Sequence, residues 1–317
     1  MSETKFSSHL TDDMARRLIL GTAQFGMSYG VTNRHGQVSA RDVREILSYA
    51  RDAGILLVDT AAGYGASEAS LGECLPDFPE IGVVTKTAVI ANPTIGVDEM
   101  RKIEDGVLHS VETLRRPRLD GLLVHTGSDL LKPGGETLAE YLVSLKSDGR
   151  VGRVGVSVYD ASEIDRILEV FQPDIVQVPL NIFDQRLIRS GHIRALQSAG
   201  IEVHARSAFL QGILLAEPAG LPTYFQGFDR IFAKYFGFLH DTRLTPLAAC
   251  MGFMMQQSGA DRVIIGVTTR SELAGILAAL PPGMTLPSMD MLACDVKQLI
   301  DPRGWPKLRE DGEAARQ

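Results

Sequence analysis

The sequence predicts an α/β fold of the (β/α)8 (TIM) barrel class, and three observations carry that reading. Eight short apolar runs alternate with amphipathic stretches along almost the whole chain. The runs are near-continuous Val, Ile and Leu, the composition of parallel strands covered on both faces. The turn after the first run, Gly21-Thr-Ala-Gln-Phe-Gly26, lacks the middle glycine that a doubly wound open sheet would place there. Eight strands with a helix after nearly every one is the count of the barrel.

The first strand is read over Leu18–Thr22. The helix after it opens at Ser39-Ala-Arg-Asp42, sets Val43, Ile46, Leu47 and Ala50 on one face and stops at Gly54. Leu56–Thr60 is the second strand, with a short helix over Ser67–Leu75. Ile81–Lys86 and Leu119–His125 follow, with helices over Val97–Leu114 and Thr137–Lys146. After the fifth strand, Arg153–Ser157, the residues Ile164, Ile167, Leu168 and Phe171 repeat the helical period. Ile175–Leu180 precedes a helix over Gln185–Ser198. Glu202–Ser207 and Arg262–Val267 complete the strands, with helices over Thr245–Ser258 and Ser271–Leu280.

One long irregular loop is expected after the seventh strand, Ala216–Arg243. Its aromatics (Tyr224, Phe225, Phe228, Phe232, Tyr235, Phe236 and Phe238) read either as a substrate wall or as packing beneath a loop. The tail after Pro281 is proline-rich, carries Trp305 and has one helix-like stretch, Asp290–Ile300. A single domain over residues 1–317 is expected, with its core over about 18–280 and a C-terminal tail over 281–317.

Composition narrows the class. A chain of 317 residues with 44% hydrophobic content can bury a large core. A net charge of −7 without a basic cluster argues against nucleic acid. Cys74, Cys250 and Cys294 are widely spaced and suit a reducing cytoplasm. Residues 1–13 are polar, unlike a signal peptide, and no apolar run reaches the ~18 residues of a membrane span. The histidines show no ligand spacing, so no metal is expected. A cytoplasmic monomer or weak homo-oligomer is the expected form.

Four polar residues stand at or just past strand ends: Asp59, Tyr64, Lys86 and His125. Parallel barrels bring those ends to one face, where they do chemistry. Singly, each has a bland role, such as a loop-ordering carboxylate or a solvated strand end. Together they can protonate a carbonyl oxygen. An ammonium beside a tyrosine favours its phenolate. A carboxylate holds and aims that ammonium, and an imidazole orients the carbonyl. None of the four is a hydride source, so a carbonyl reductase built on them needs a nicotinamide cofactor.

These residues resemble the aldo-keto reductases. Asp59-Thr-Ala-Ala-Gly-Tyr64-Gly65 with Ser67-Glu68 and Leu71-Gly72 is similar to that family's signature. Val84-Thr-Lys86 and Leu123-Val-His125 resemble its catalytic lysine and histidine strands. Gly155-Val-Ser157, Val176-Gln177-Val-Pro-Leu-Asn181 and Val263-Ile-Ile-Gly266-Val267 follow in family order. The resemblance implies Tyr64 as general acid/base with Asp59, Lys86 and His125. It implies NADP or NAD lying across the barrel mouth. Ser157, Gln177 and Asn181 would meet the carboxamide, and the segment with Arg206, Ser207, Phe209 and Gly212 would meet the pyrophosphate. Gly266, Val267, Thr268 and Arg270 would meet the adenosine phosphate end.

The chain departs from the family's pattern in three places. Val158 follows Ser157 where family members often have asparagine, which removes one carboxamide contact. Arg206 stands where many members stack a tyrosine on the nicotinamide; it could stack instead, or meet an anionic substrate or phosphate. Glu272 falls near the position of a base that binds the 2′-phosphate, which favours NAD. The function expected is interconversion of an aldehyde, ketone or sugar carbonyl with its alcohol. The alternative is a cofactor-binding regulatory protein on the same barrel, which would bind the cofactor without turnover.

Overall fold

The computed structural model describes residues 12–279 and 285–306. Eight parallel strands close on themselves in chain order: β1 Leu18–Gly21, β2 Leu57–Asp59, β3 Gly82–Lys86, β4 Leu119–Val124, β5 Val151–Ser157, β6 Ile175–Pro179, β7 Glu202–Arg206 and β8 Arg262–Gly266. β8 returns to β1 with Ile19 opposite Ile264 and Gly21 opposite Gly266. All eight lie within two residues of their predicted bounds.

The apolar core has two layers. Ile19, Leu57, Val84, Leu123 and Ile175 form a small cluster of their own, the filling of the barrel interior. A larger cluster lies between the outer strand faces and the helices, with Val43, Ile46, Leu47, Ile103, Leu138 and Ile164 among its members. The helix over Ala40–Asp52 shows the local logic. The Ser39 hydroxyl caps it by accepting from Asp42 N–H, and Gly54 leaves it at φ 83°. Val97–Leu114 falls where its periodicity predicts.

Three expectations are corrected. The stretch Ala216–Arg243 is not a loop throughout, because Asp229–Thr242 is a helix. Phe232, Tyr235, Phe236 and Leu239 recur at helical spacing, and a run of aromatics on both sides of that stripe obscures it. These rings pack inward on Phe183 and Phe225, and none lines the large cavity at the barrel mouth. They are packing and not a substrate wall. The helix predicted over Gln185–Ser198 is two short ones, Arg186–Arg189 and His192–Ser198, separated at Gly191 with φ 81°. Asp290–Ile300 is no continuous helix; it holds a 3-10 turn over Asp290–Leu292 and one helical turn over Lys297–Ile300. Leu280 and Pro281 lie outside the described residues. Among the described residues no helix is long and apolar enough to cross a membrane.

An ion cluster joins β5, β7 and β8 at the N-terminal end of the barrel. Burial disfavours the charge of Glu202, but His204 Nε2 at 2.8 Å, Arg153 and Arg262 Nε at 2.5 Å outweigh it, and its pKa falls to about 2. An unfolded glutamate titrates at about 4.3. The stability supplied by this group is therefore complete above that pH and is lost as the pH falls toward 2. Glu202→Gln is expected to flatten this limb of the stability curve. Thermal melts across acid pH test this, and parallel curves for the two proteins would contradict it.

Candidate active site at the barrel mouth

Strand alternation builds the site. In a strand, residue i+2 returns to the face of residue i. Leu57, Val84, Leu123 and Ile175 fill the barrel interior, so Asp59, Lys86, His125 and Gln177 are next on the same inner face toward the C-terminal rim. Register sets them level: Ser157 lies opposite Gln177, and Gln177 opposite His204.

Lys86 and Asp59 are 1% and 3% exposed. Lys86 Nζ donates to Asp59 Oδ1 at 2.6 Å and to the Thr60 carbonyl at 2.9 Å. Asp59 Oδ2 accepts from Gln177 Nε2 at 2.7 Å, a bond that crosses the barrel from β6 to β2. Burial alone would lower the lysine pKa. The carboxylate of Asp59 and the Tyr64 hydroxyl reverse this and hold it above the ordinary value, so Lys86 is an ammonium at neutral pH.

The Tyr64 ring lies over that ammonium, with Nζ 5.0 Å from its centroid, and meets the His125 ring edge to face at 5.7 Å. Its loop is tied down on two sides. Gly26 carries no Cβ because one would lie 1.9 Å from the Tyr64 carbonyl oxygen and 2.2 Å from Ser67 N. Below the loop, the buried Glu68 accepts from Thr85 Oγ1 of β3 at 2.5 Å and from Ser110 Oγ at 3.0 Å. These contacts join the Tyr64 loop to the strand that carries Lys86.

His125 is neutral at ordinary pH. Burial and the nearby Lys86 ammonium push its pKa down to about 4. Its Nδ1 is buried without a hydrogen-bond partner among the described residues. A lone pair left dry costs less than an N–H left dry, so the proton belongs on Nε2.

These groups stand at one end of a cavity of about 710 Å³. Asp59, Tyr64, His125, Ser157, Gln177, Arg206, Ser207, Phe209, Gly212, Gly266, Val267, Thr268 and Glu272 all line it. Three predicted residues do not line it. Lys86 sits beneath the wall. Asn181 accepts from Phe183 and Asp184 N–H at 3.0 Å each and donates to the Ser207 carbonyl at 3.2 Å, so it braces the loops after β6 and β7. Arg270 places its guanidinium over Tyr49 at 5.1 Å, a packing role on the outer helices.

Local bonds also revise two of the lining residues. Gln177 has committed one amide N–H to Asp59, which leaves its oxygen and its second N–H for a ligand. Glu272 accepts from Thr268 N at 2.6 Å and Oγ1 at 2.9 Å, so its carboxylate also orders the loop after β8. The segment after β7 bends sharply, with positive φ at Ser207, Leu210, Gln211 and Gly212. At Gly212 a Cβ would lie 1.8 Å from Thr32 Oγ1, which brings the loop after β1 against this segment.

Sequence reading missed part of the wall: Tyr29, Asn33, Arg34 and His35 after β1, Tyr159 after β5, and Pro302 and Arg303 in the tail. None of these residues stands at a strand end, and loop composition alone carries no address. The one available signal was Tyr159, two residues beyond Ser157 on a strand already assigned to the site.

The family model described as the aldo/keto reductase family matches residues 17–298. The NADH-specific methylglyoxal reductase of Escherichia coli strain K12 is 28% identical over 222 residues, 64% of this chain and 67% of that protein. The aldo-keto reductase YhdN of Bacillus subtilis strain 168 is 29% identical over 184 residues, 56% of this chain and 53% of that one. The matches thus span half to two thirds of those relatives. An aldo-keto reductase from Bacillus halodurans, solved in its holo form, is 18% identical with a TM-score of 0.66, over 93% of this chain and 95% of that one.

Proposed function

The chain belongs to the aldo/keto reductase family of oxidoreductases, and on that premise we propose that it is an NAD(P)H-dependent carbonyl reductase in which Tyr64 gives up the proton. The observation that carries this reading is the buried Lys86–Asp59–Gln177 chain beneath Tyr64, with a neutral His125 beside it. The Tyr64 hydroxyl protonates the carbonyl oxygen as the carbon is reduced. Lys86 is charged before the reaction begins, so it stabilises the phenolate without reorganising. Asp59 holds Lys86 in place. His125 Nε2–H donates to the same oxygen and orients the substrate. Running in reverse, Tyr64 takes the proton from an alcohol.

The cavity fits a nicotinamide dinucleotide by the chemistry of its two ends. Ser157 and the free oxygen of Gln177 suit a carboxamide near Tyr64. Gly212, Gly266, Val267 and Thr268 line the cavity and would lie beside the phosphates, with Thr268 N–H already held by Glu272. The bound nicotinamide supplies the hydride.

Glu272 lines the far end, and Arg270 turns away onto Tyr49. A 2′-phosphate of roughly −1.5 to −2 charges would meet a carboxylate there. NADH is therefore expected to bind at least as tightly as NADPH, and Glu272→Gln to shift the ratio toward NADPH while the amide oxygen still accepts from Thr268. Dissociation constants for both cofactors test this; a wild type preferring NADPH a hundredfold, about 2.7 kcal/mol, would refute it. Reduction itself is tested by cofactor oxidation over a panel of aldehydes, ketones and sugars. Tight cofactor binding with no turnover on any of them would instead indicate a regulatory protein.

A further inference from the structure

The reaction end of the cavity has a cationic wall. Tyr159 follows β5, and two guanidinium groups lie on its ring, Arg206 at 4.3 Å and Arg303 at 3.4 Å from the centroid. Arg206 ends β7, and Arg303 comes from the tail, more than ninety positions later in the chain. Each is held in place. Arg206 donates to the Val158 carbonyl at 3.2 Å. Arg303 donates from Nε and Nη2 to Asp301 at 2.9 and 2.6 Å. Tyr159 N–H is bound to Glu163 at 2.7 Å.

Charge is divided unevenly across this wall. All three members of the stack face the cavity. The carboxylates that balance them, Asp301 and Glu163, are not among its lining residues. The acids that do line the cavity are already occupied, Asp59 with Lys86 and Glu272 with Thr268. Arg206 forms no ion pair among the described residues, and its charge reaches the reaction centre, where it is one of the groups that keep His125 neutral. An arginine fixed on an aromatic face and lining a cavity is a preorganised receptor for a planar or tetrahedral oxyanion. Such a wall also raises the local concentration of anions.

We propose that the carbonyl substrate carries an oxyanion, a carboxylate or a phosphate, and that Arg206 and Arg303, stacked on Tyr159, bind it while its carbonyl faces Tyr64 and His125. This rests on the carbonyl-reductase reading above and specifies its substrate class. Tyr159 contributes by fixing both guanidinium planes. Arg303 makes the tail part of the specificity site.

Two matched pairs of probes test the idea: 4-carboxybenzaldehyde against 4-formylbenzamide, and glyceraldehyde 3-phosphate against glyceraldehyde. At least one anion should exceed its neutral partner in kcat/KM by about tenfold or more, or about 1.4 kcal/mol. The pair that does so distinguishes carboxylate from phosphate. Arg303→Gln and Arg206→Gln should each lower that ratio about tenfold, chiefly through KM, and Arg303→Lys should restore part of it.

Turnover of all four probes with ratios near one would overturn the proposal and leave carbonyl reduction standing. An Arg206→Gln protein that loses NADH affinity but keeps the ratio would assign Arg206 to the cofactor and overturn its part here. If nothing turns over, the reductase reading fails, and calorimetric titration with 4-carboxybenzyl alcohol decides the anion site alone. Binding that is lost in Arg303→Gln would uphold the site, and no binding to the wild type would remove it.

Discussion

Tyr64→Phe is expected to lower the rate of carbonyl reduction by about 10²–10⁴-fold, the usual loss for a general acid, while cofactor affinity stays near the wild-type value. The structure explains why the two effects separate. The phenyl ring keeps its edge contact with His125 and its place over Lys86. Lys86 keeps Asp59 and Thr60 as partners, so the buried charge remains paired. What is lost is the hydroxyl, with its donatable proton and its contact with the Lys86 ammonium. His125 cannot replace it, because it holds its Nε2 proton as a neutral imidazole whose pKa has been pushed down to about 4; protonating a carbonyl oxygen from that form would leave an anionic ring. Stopped-flow oxidation of NADH and a cofactor titration together check this. Wild-type rates in the variant would remove Tyr64 from the mechanism.

The parts of this site that were legible in the sequence are those carried by strands. Leu57-Val58-Asp59 and Leu122-Leu123-Val124-His125 announce both an element and its polar end, because period-two alternation links a core residue to the residue two places on. The carboxylate and the lysine could be paired from residue type alone, since a buried ammonium needs a counter-charge. The cross-barrel bond from Gln177 to Asp59 was not legible, because it depends on which strands face one another across a closed sheet. It ties a residue expected to serve the cofactor to the carboxylate of Asp59. Asn181 and Arg270, expected at the cofactor, are found with other partners for a related reason. Each is polar and near the mouth, but nearby backbone amides claim the first and Tyr49 the second.

The helix over Asp229–Thr242 was hidden because its start lacks a capping side chain, with Phe228 in that position, and because aromatics flank the buried stripe. Arg303 was out of reach altogether. Nothing local says that a residue of the tail will lie 3.4 Å from a ring that follows β5.

Lys86→Met is expected to destabilise the fold by about 3–5 kcal/mol, the usual effect of removing one partner from a buried ion pair, and to abolish reduction. Asp59 would keep only the Gln177 amide as a donor, with its second oxygen unpaired in a site where the residue is 3% exposed. That loss is a large fraction of the 5–15 kcal/mol that holds a typical domain. Stability and chemistry can then be told apart by removing the second charge. In Lys86→Met with Asp59→Asn, no ion remains buried, and the new amide can still accept from Gln177. The double variant should regain much of the lost stability in urea denaturation, with an interaction energy well above the roughly 0.5 kcal/mol of independent sites. It should not regain activity, because no ammonium would stabilise the Tyr64 phenolate. If Lys86→Met proves too unstable to purify, the double variant still yields folded protein for both measurements. Equal denaturation midpoints for the wild type and Lys86→Met would show that the pair is not a buried charge couple. Restored turnover in the double variant would show that the lysine serves the fold and not the proton transfer.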